Sequence, residues 1–472
     1  MLAGTGSDVG KSIIATALCR IFRQDGYNPA PFKAQNMALN SYVTADGLEI
    51  GRAQAVQAEA AGIPCEADMN PILLKPQSDH TSQVVLLGKP IGNKNAYDYW
   101  RHEGKEELRK EVHAAFDRLS QRFNPIVMEG AGSIAELNLR DTDLVNMPMA
   151  RYADARVILV ADIDRGGVFA SAYGSIMLQE EADRRRIRGI IVNKFRGDMR
   201  LFDEGRRMLE EVCGVPVLGV VPYYKDIHID EEDSMDLVTK GGKEETGENR
   251  VRVKVVRLPY ISNFTDFNAL LADSRFRLTY ATVPSQIAEA DIVVLPGTKS
   301  TLSDLRWLHQ SGMARAILQA HREGKTILGI CGGYQMMGLT IGDPQGVEGS
   351  VASMPGLGLL PVRTVMAPTK TTRQVTFSFE GQECSGYEIH QGVSDAPQPV
   401  VQTDHCIGTY VHGILDNPAF VDFLLRPFAG RVEEGGPAID YQTYRQQQYD
   451  RLAKHVRRHL DMDKLYSILT DD

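Results

Sequence analysis

The chain opens with the glycine-rich run Gly4-Thr5-Gly6-Ser7-Asp8-Val9-Gly10-Lys11-Ser12, followed by a helical stretch. Such a loop wraps backbone N–H groups around phosphates at a helix N-terminus, where Lys11 neutralises charge and the Ser12 hydroxyl binds Mg²⁺. Gly4 and Gly10 are separated by five residues instead of the usual four, which favours a subclass of the P-loop fold. A dinucleotide-binding loop is a weak alternative, because its third glycine would come one residue late.

Strand-like apolar runs alternate with helical segments after this loop. They cover residues 28–33, 125–128, 157–160, 189–192 and 215–221. The alternation predicts an α/β fold with a parallel sheet and with its chemistry at the carboxyl ends of the strands. A P-loop normally follows a buried strand of about five residues. Only Met1-Leu2-Ala3 precede Gly4 here, so we expect that first strand to be missing.

Polar residues at the strand ends are the candidates for the site beside the loop. Glu129 follows the 125–128 run and is a predicted Mg²⁺ ligand, with a helix cap or surface carboxylate as the alternative. Asp46 is a weaker candidate for a second metal carboxylate. Asn193 stands where such folds often recognise a base, although a structural turn explains it almost as well. Asp143 either contacts substrate or only fixes its loop.

A second signature, Gly329-Ile330-Cys331-Gly332-Gly333, lies between a predicted strand at 326–330 and a predicted helix. A sharp turn of this composition exposes a nucleophile and aims the next backbone N–H at the reacting carbonyl. A buried structural cysteine is the alternative, and the surrounding glycines argue against it because an inert thiol needs none of them.

A histidine base and a second donor turn complete the predicted chemistry. His412 ends the apolar run 408–412, and His390 is its competitor. We predict that backbone N–H groups stabilise the oxyanion; they come from Gly297, in the turn at residues 295–299, and from Gly332. A cysteine, a histidine and two donor turns are the equipment for acyl transfer through a thioester.

Length, charge and composition restrict the classes of function and the domain organisation that the chain can have. The chain has 472 residues and a net charge of −9, which argues against general nucleic-acid binding. No long apolar run and no signal peptide occur, so we expect a cytoplasmic protein without membrane contact. The cysteines show no metal-ligand spacing; they are Cys19, Cys65, Cys213, Cys331, Cys384 and Cys406.

The predicted domains are a P-loop domain (1–228), an acidic linker (229–250), an amidotransferase domain (251–440) and a helical appendage (441–472).

These motifs together resemble the cobyric acid synthase family. The resemblance rests on Gly4 to Ser12, on Lys33-Ala34-Gln35-Asn36-Met37, on residues 68–76 and on Gly408 to His412. It implies a dethiobiotin-synthetase-like P-loop domain fused to a class I glutamine amidotransferase domain. The implied activity is ATP- and glutamine-dependent amidation of the b, d, e and g carboxylates of adenosylcobyrinic acid a,c-diamide, through acyl phosphates.

The resemblance also implies roles for single residues. Cys331 and His412 hydrolyse glutamine. The implied Mg²⁺ ligands are Ser12, Asp46 and Glu129. The implied ATP-binding residues are Gly4, Thr5, Gly6, Ser7, Gly10, Lys11 and Ser12, to which Asn193 is added from its position at a strand end.

One departure from the wider amidotransferase pattern concerns the third catalytic member. Many such enzymes carry a glutamate two residues after the histidine, where this chain has Ile414. The orienting carboxylate is therefore absent or comes from elsewhere, and we expect a Cys–His dyad. The alternative functions are the sister amidase acting on the a and c carboxylates and a P-loop ATPase switch without ligase chemistry. The sequence leaves the oligomeric state open, with a homo-oligomer as one option.

Overall fold

A computed structural model of the chain describes residues 1–78, 81–95, 105–230, 250–349, 351–432 and 439–470. The chain forms two units. The first comprises residues 1–37, 50–229 and 445–472, and the second comprises residues 38–49 and 230–444. Most of the predicted linker at 229–250 lies outside the described residues.

A parallel sheet forms the centre of the first unit. Its order is Leu2–Gly4, Val157–Asp162, Ile187–Phe195 and Val217–Pro222. A parallel pair, Ala30–Phe32 with Ile126–Met128, extends it through a bridge between Leu2 and Glu129. The predicted strands are confirmed. A short strand also precedes the P-loop, where we expected a strand to be missing: Leu2–Gly4 is buried and pairs with residues 158–160.

Helices cover this sheet, and a second sheet accompanies it in the first unit. The helices are Lys11–Gln24, Arg52–Ala61, Lys105–Ser120, Met147–Tyr152, Val168–Met177, Glu181–Arg184, Asp203–Cys213 and Met462–Thr470, with the greater part of Tyr441–His459. The second sheet has the order Gln35–Met37, Ile72–Ser78, Thr81–Leu86 and Lys89–Asn95.

The C-terminal helices, predicted as a helical appendage at 441–472, pack into the first unit from residue 445 onwards. Tyr449, Leu452 and Val456 are buried in one hydrophobic cluster with residues of the P-loop helix Lys11–Gln24. The chain then bridges to the edge strand Val217–Pro222, where Leu460 pairs with Gly219 and an added Cβ on Gly219 would lie 2.0 Å from the His459 carbonyl oxygen. These helices are therefore part of the core of the first unit.

The second unit has its own parallel sheet. Its order is Phe276–Ala281, Val251–Val256, Ile292–Leu295, Thr326–Ile330, Cys406–Thr409 and Val400–Thr403, with only the last pair antiparallel. The predicted strands at 251–256 and 326–330 are found at those residues. The helices are Asn268–Ala272, Thr301–Gln310, Met313–Arg322, Gly332–Met337 and Pro418–Leu425.

A mixed sheet completes the second unit. Its order is Ser353–Pro355, Thr340–Gly342, Arg363–Phe379 and Gln382–Ser394. Short strands also occur at Ser41–Val43 and Glu49–Gly51. The 3₁₀ turns of the chain are Ala67–Met69, Leu137–Thr142, Met199–Phe202, Phe264–Phe267, Pro284–Glu289, Ile414–Asp416 and Arg426–Phe428. The carboxyl ends of Ile292–Leu295, Thr326–Ile330 and Cys406–Thr409 are neighbours, so the segments that follow these strands meet at one edge of the sheet.

Candidate active sites

Cys331 stands on the sharp turn that its sequence predicts. It follows the buried strand Thr326–Ile330 and precedes the helix Gly332–Met337, and its backbone has φ of 53° and ψ of −112°. A positive φ is costly for a residue with a side chain and is typical of functional turns. The backbone of Cys331 is therefore strained, as is typical of a turn that presents a reactive side chain.

The glycines of the turn allow a close approach between two backbones. A Cβ on Gly333 would lie 1.9 Å from the Leu295 carbonyl oxygen, and one on Gly332 would lie 3.2 Å from the Thr298 nitrogen. The Cys331 turn is thus held directly against the 295–299 turn. Both predicted oxyanion glycines lie near the reacting groups, because a Cβ on Gly297 would also come within 3.2 Å of His412 Cε1.

His412 is oriented by a carboxylate that the sequence analysis did not identify. His412 Nδ1 is 2.7 Å from Asp266 Oδ2, and the Gly413 N–H donates to Asp266 Oδ1 at 3.1 Å. Both side chains are almost completely buried. The predicted dyad is therefore corrected to a Cys331–His412–Asp266 arrangement, since the carboxylate comes from 146 residues upstream.

The surroundings favour the charged form of His412. Burial alone would lower the pKa of His412, but the negative charges of Asp266 and Cys331 outweigh it and raise the pKa to about 10. Among the described residues no hydrogen bond of ordinary geometry reaches the buried His412 Nε2, and Cys331 is the side chain that acts on this imidazole from outside the Asp266 contact.

His390, the competing base, has a different setting. Its Nδ1 is 2.7 Å from the Gly392 carbonyl oxygen, and its ring stacks on Tyr410 with a centroid distance of 3.7 Å. Its Nε2 lies 3.7 Å from a Glu388 oxygen. His390 Nδ1 thus faces a backbone carbonyl, whereas His412 Nδ1 faces the carboxylate of Asp266, and this difference favours His412 as the base.

In the P-loop of the first unit, the Lys11 side chain hydrogen-bonds back to the loop and to a neighbouring turn. Lys11 Nζ donates to the carbonyl oxygens of Gly6 and Gly132, each at 2.9 Å. Gly10 begins the helix with a φ of 96°, and a Cβ there would lie 2.1 Å from Asn193 Nδ2. The loop therefore has the left-handed turn and the helix start that phosphate binding requires. Thr5 joins the sheet through its N–H, which donates to Val160, whereas Ser7 is exposed.

Glu129 lies at the centre of a buried hydrogen-bond network. Its Oε1 accepts from the Ser12 hydroxyl at 2.8 Å and from Lys33 Nζ at 2.9 Å, and its Oε2 accepts from Gln57 at 2.7 Å. Burial raises the pKa of Glu129, but the charge and hydrogen bond of Lys33, with those of Gln57 and Ser12, lower it overall. Glu129 is therefore a buried, ionised carboxylate beside the P-loop.

The remaining predicted residues have local partners. Asn193 donates its amide N–H to the Val9 carbonyl oxygen at 2.9 Å, so its contact in the structure is with the P-loop itself. Asp143 Oδ1 accepts from the N–H groups of Val145 and Asn146, which is the contact of a loop-fixing residue. Asp46 accepts a hydrogen bond from the Thr44 hydroxyl and lies in the 38–49 segment of the second unit.

Ser12 and Glu129 form a donor set that suits Mg²⁺. This ion prefers oxygen ligands and is commonly held by one or two carboxylates together with substrate phosphates. Within the described residues, no group of three or more histidine, cysteine, aspartate and glutamate side chains is arranged to hold a metal. A metal at this loop would therefore depend on the nucleotide for its other ligands.

Comparison with known proteins places both units in described families. Residues 1–237 match the CobQ/CobB/MinD/ParA nucleotide binding domain, and residues 252–420 match the CobB/CobQ-like glutamine amidotransferase domain. The cobyric acid synthase of Bacteroides fragilis is 62% identical over 100% of this chain and 98% of its own length. The chain belongs to the cobyric acid synthase family. The family member of Salmonella arizonae is 46% identical over 99% of this chain and 98% of its own length.

Membership of the cobyric acid synthase family makes the chain an amidotransferase-type ligase with a nucleotide-binding domain. A P-loop switch without ligase chemistry is thereby excluded. None of the helices that the structure describes has the length and apolar character needed to cross a bilayer.

Proposed function

We propose that the chain amidates the b, d, e and g carboxylates of adenosylcobyrinic acid a,c-diamide to give adenosylcobyric acid, with ATP as activator and glutamine as nitrogen donor. The observation that carries this proposal is the buried Cys331–His412–Asp266 arrangement in a chain whose other unit holds a P-loop. Neither site alone supports a glutamine-dependent ligase. The names of the relatives supply the corrinoid substrate.

The amidase half-reaction follows from the positions of Cys331 and His412. The thiolate of Cys331 attacks the side-chain amide carbon of glutamine, and the developing oxyanion is stabilised by N–H donors at Gly297 and Gly332. His412 donates a proton to the leaving nitrogen as the C–N bond breaks, which releases ammonia. Water then hydrolyses the thioester, with His412 taking up its proton, and glutamate leaves.

Asp266 serves this reaction by fixing the imidazole. Because it accepts the Nδ1 proton, the Nε2 atom is the one that faces the nucleophile and the leaving group. The ring cannot rotate away, since Asp266 is itself held by the Gly413 N–H.

The ligase half-reaction uses the P-loop unit. A substrate carboxylate oxygen attacks the γ-phosphorus of ATP, which gives an acyl phosphate and ADP. Ammonia then attacks the acyl carbon, inorganic phosphate leaves and the amide remains. Lys11 neutralises the phosphates, while Ser12 and Glu129 would hold Mg²⁺, which supplies charge neutralisation when bound.

The test is mass spectrometry of the corrinoid after incubation with ATP, Mg²⁺ and glutamine labelled with ¹⁵N in its amide. The expected result is labelled nitrogen in every new amide. The matched control is Cys331→Ser, which should incorporate nitrogen from added ammonium but not from glutamine. A corrinoid that gains no amide under any of these conditions would contradict the proposed function.

A further inference from the structure

A segment from far upstream in the chain packs against the amidase site of the second unit. Residues 38–49 belong to this unit by their contacts, although the preceding strand Gln35–Met37 belongs to the first. Asn40 and Ser41 of this segment are almost completely buried. A buried polar side chain is costly unless it is hydrogen-bonded, so the partners of Asn40 show what it does. The reaction described above assigns no role to either residue.

Hydrogen bonds join this segment to the 3₁₀ turn that carries Asp266. The Phe264 N–H donates to Asn40 Oδ1 at 3.2 Å, across a separation of 224 residues in the chain. The Ser41 N–H donates to Asn263 Oδ1 at 3.1 Å. The Asp266 N–H itself donates to the carbonyl oxygen of Asn263 at 3.0 Å. The start of the turn is therefore held by two hydrogen bonds to the upstream segment.

Asn263 needs this support because of its backbone conformation. Its φ of 51° lies in the left-handed region, which is unfavourable for a residue with a side chain, although asparagine tolerates it better than most. Such a conformation persists where the surrounding contacts fix it. Here the Asn263 side chain is held by the Ser41 N–H, and its carbonyl oxygen by the Asp266 N–H. Loss of the upstream contacts should let the turn relax, and Asp266 would move with it.

The same segment also reaches the imidazole side of the Asp266 contact. The Tyr387 hydroxyl donates to the Ser41 carbonyl oxygen at 3.2 Å. The Tyr387 ring stacks on the His412 imidazole, with a centroid distance of 5.2 Å and an interplanar angle of 23°. The backbones of Tyr387 and His412 also exchange two hydrogen bonds, at 3.0 and 2.8 Å. Ser41 therefore contacts both the residue that precedes the Asp266 turn and the ring that lies on His412.

We propose that Asn40 is a positioning residue of the amidase site, which fixes Asp266 relative to His412. This inference rests on the proposed function of Cys331 and His412 in glutamine hydrolysis. Asn40 acts on the reaction through the Asp266 turn. When that turn shifts, the imidazole is less well oriented, and the step that suffers most is the donation of its proton to the leaving nitrogen. Thioester formation from a substrate whose leaving group needs no proton should be affected much less.

The experiment uses the full chain and compares wild type with Asn40→Ala, Tyr387→Phe and Thr44→Val. Two substrates are tested without the corrinoid: glutamine, and the γ-(p-nitrophenyl) ester of glutamate, whose nitrophenolate leaves without a proton. Glutaminase kcat and KM are measured with the first, and the burst rate of nitrophenolate release, which reports thioester formation, with the second. Thr44→Val is the matched control, because the Thr44 hydroxyl bonds within the same segment, to Asp46 and Leu48. Thermal unfolding shows whether each variant is folded.

Asn40→Ala should lose about tenfold or more in glutaminase kcat, because the turn that carries Asp266 loses a hydrogen-bond acceptor that holds it. KM for glutamine should change less, and the burst rate with the ester should fall by much less than kcat. Tyr387→Phe keeps the stacked ring and removes the hydroxyl group, so it should show a smaller loss with the same preference for the ester. Thr44→Val should keep the wild-type ratio of the two rates.

Two results would overturn the inference. One is an Asn40→Ala protein with the wild-type kcat for glutamine. The other is a loss in that variant that is equal for glutamine and for the ester, since the whole unit would then be disturbed and not the orientation of His412. If Asn40→Ala fails to fold, the ratio of the two rates in Tyr387→Phe decides in the same way. Failure of the proposed function is distinguishable, because Cys331→Ser would then still hydrolyse glutamine.

Discussion

Asp266 gives the most direct residue-level test of the amidase site. Asp266→Asn should lower glutamine-dependent amidation by roughly 10²-fold or more, because the amide cannot both fix the Nδ1 proton and stabilise a charged imidazole. Ammonia-dependent amidation should be retained. The measurement is kcat with each nitrogen source. Cys331→Ser and His412→Ala should give the same split between nitrogen sources.

His390→Ala is the matched control, because His390 is also a histidine of the second unit and follows Ile389, whose carbonyl oxygen lies 3.7 Å from Cys331 Sγ. Its effect on glutamine-dependent turnover should be much smaller than that of His412→Ala. The reverse order would assign the base to His390.

Variants of the P-loop and of its neighbour Glu129 should have the opposite effect: they should lose amidation with both nitrogen sources and keep part of the glutaminase activity. Lys11→Ala and Glu129→Ala should abolish amidation with either nitrogen source, because the loss of a phosphate-neutralising lysine or a metal carboxylate costs about 3 kcal/mol or more of transition-state stabilisation. Glutaminase activity measured without the corrinoid should survive in part. Turnover with ammonia at the wild-type rate in either variant would show that the ATP site is elsewhere.

The limit of sequence-based prediction is clear from these residues. Cys331 and Glu129 stand next to apolar strands and glycines, so local pattern was enough to single them out. Asp266 has no such pattern; it lies in a 3₁₀ turn and meets His412 only through the tertiary fold.

Among the elements, the Cys331 turn has little tolerance for added volume. Gly333→Ala should destabilise the second unit by about 3 kcal/mol or more, because its Cβ would overlap the Leu295 carbonyl oxygen and force two backbones apart. Gly174→Ala is the control, since it is helical and has open space around the added Cβ. That change should stabilise by about 0.5–1 kcal/mol. Thermal unfolding measures both, and equal Tm values would contradict the close approach.

The C-terminal helix gives a test of a different kind. Leu452 is completely buried in the core of the first unit. Leu452→Ala should cost about 2–5 kcal/mol and weaken nucleotide binding on mild heating, while glutaminase activity persists to higher temperature. Nucleotide-dependent protection in thermal shift assays reports the first unit. If the glutaminase were lost at the same temperature and ATP binding were unaffected, the helix would belong to the other unit.

The elements could be predicted from the sequence where apolar runs are long. They could not be placed where tertiary packing decides which core a polar helix joins. The strands at 251–256 and 326–330 are found as predicted. The polar helix Tyr441–His459 carries few apolar residues, and no local feature indicates that they reach a core formed by residues of the N-terminal segment.

For the whole molecule, the proposed reaction requires repeated use of one ligase site. Four carboxylates on one ring can reach a single site only if the ring leaves and rebinds in new orientations. Products with one, two and three new amides should therefore appear free in solution before the fully amidated product. A chase with unlabelled substrate midway should dilute the labelled intermediates. Labelled material that passes directly to the final product would show instead that the ring stays bound.

The return of the chain to the first unit also bears on how the protein is made. Residues 445–470 complete the core around the P-loop helix, yet they leave the ribosome after the whole of the second unit. The part of the P-loop helix that packs in one cluster with Tyr449, Leu452 and Val456 therefore lacks these partners until they emerge, while Val127 and Ile158 of the same cluster are made earlier. A nascent chain thus contains every segment of its second unit before it contains every segment of its first.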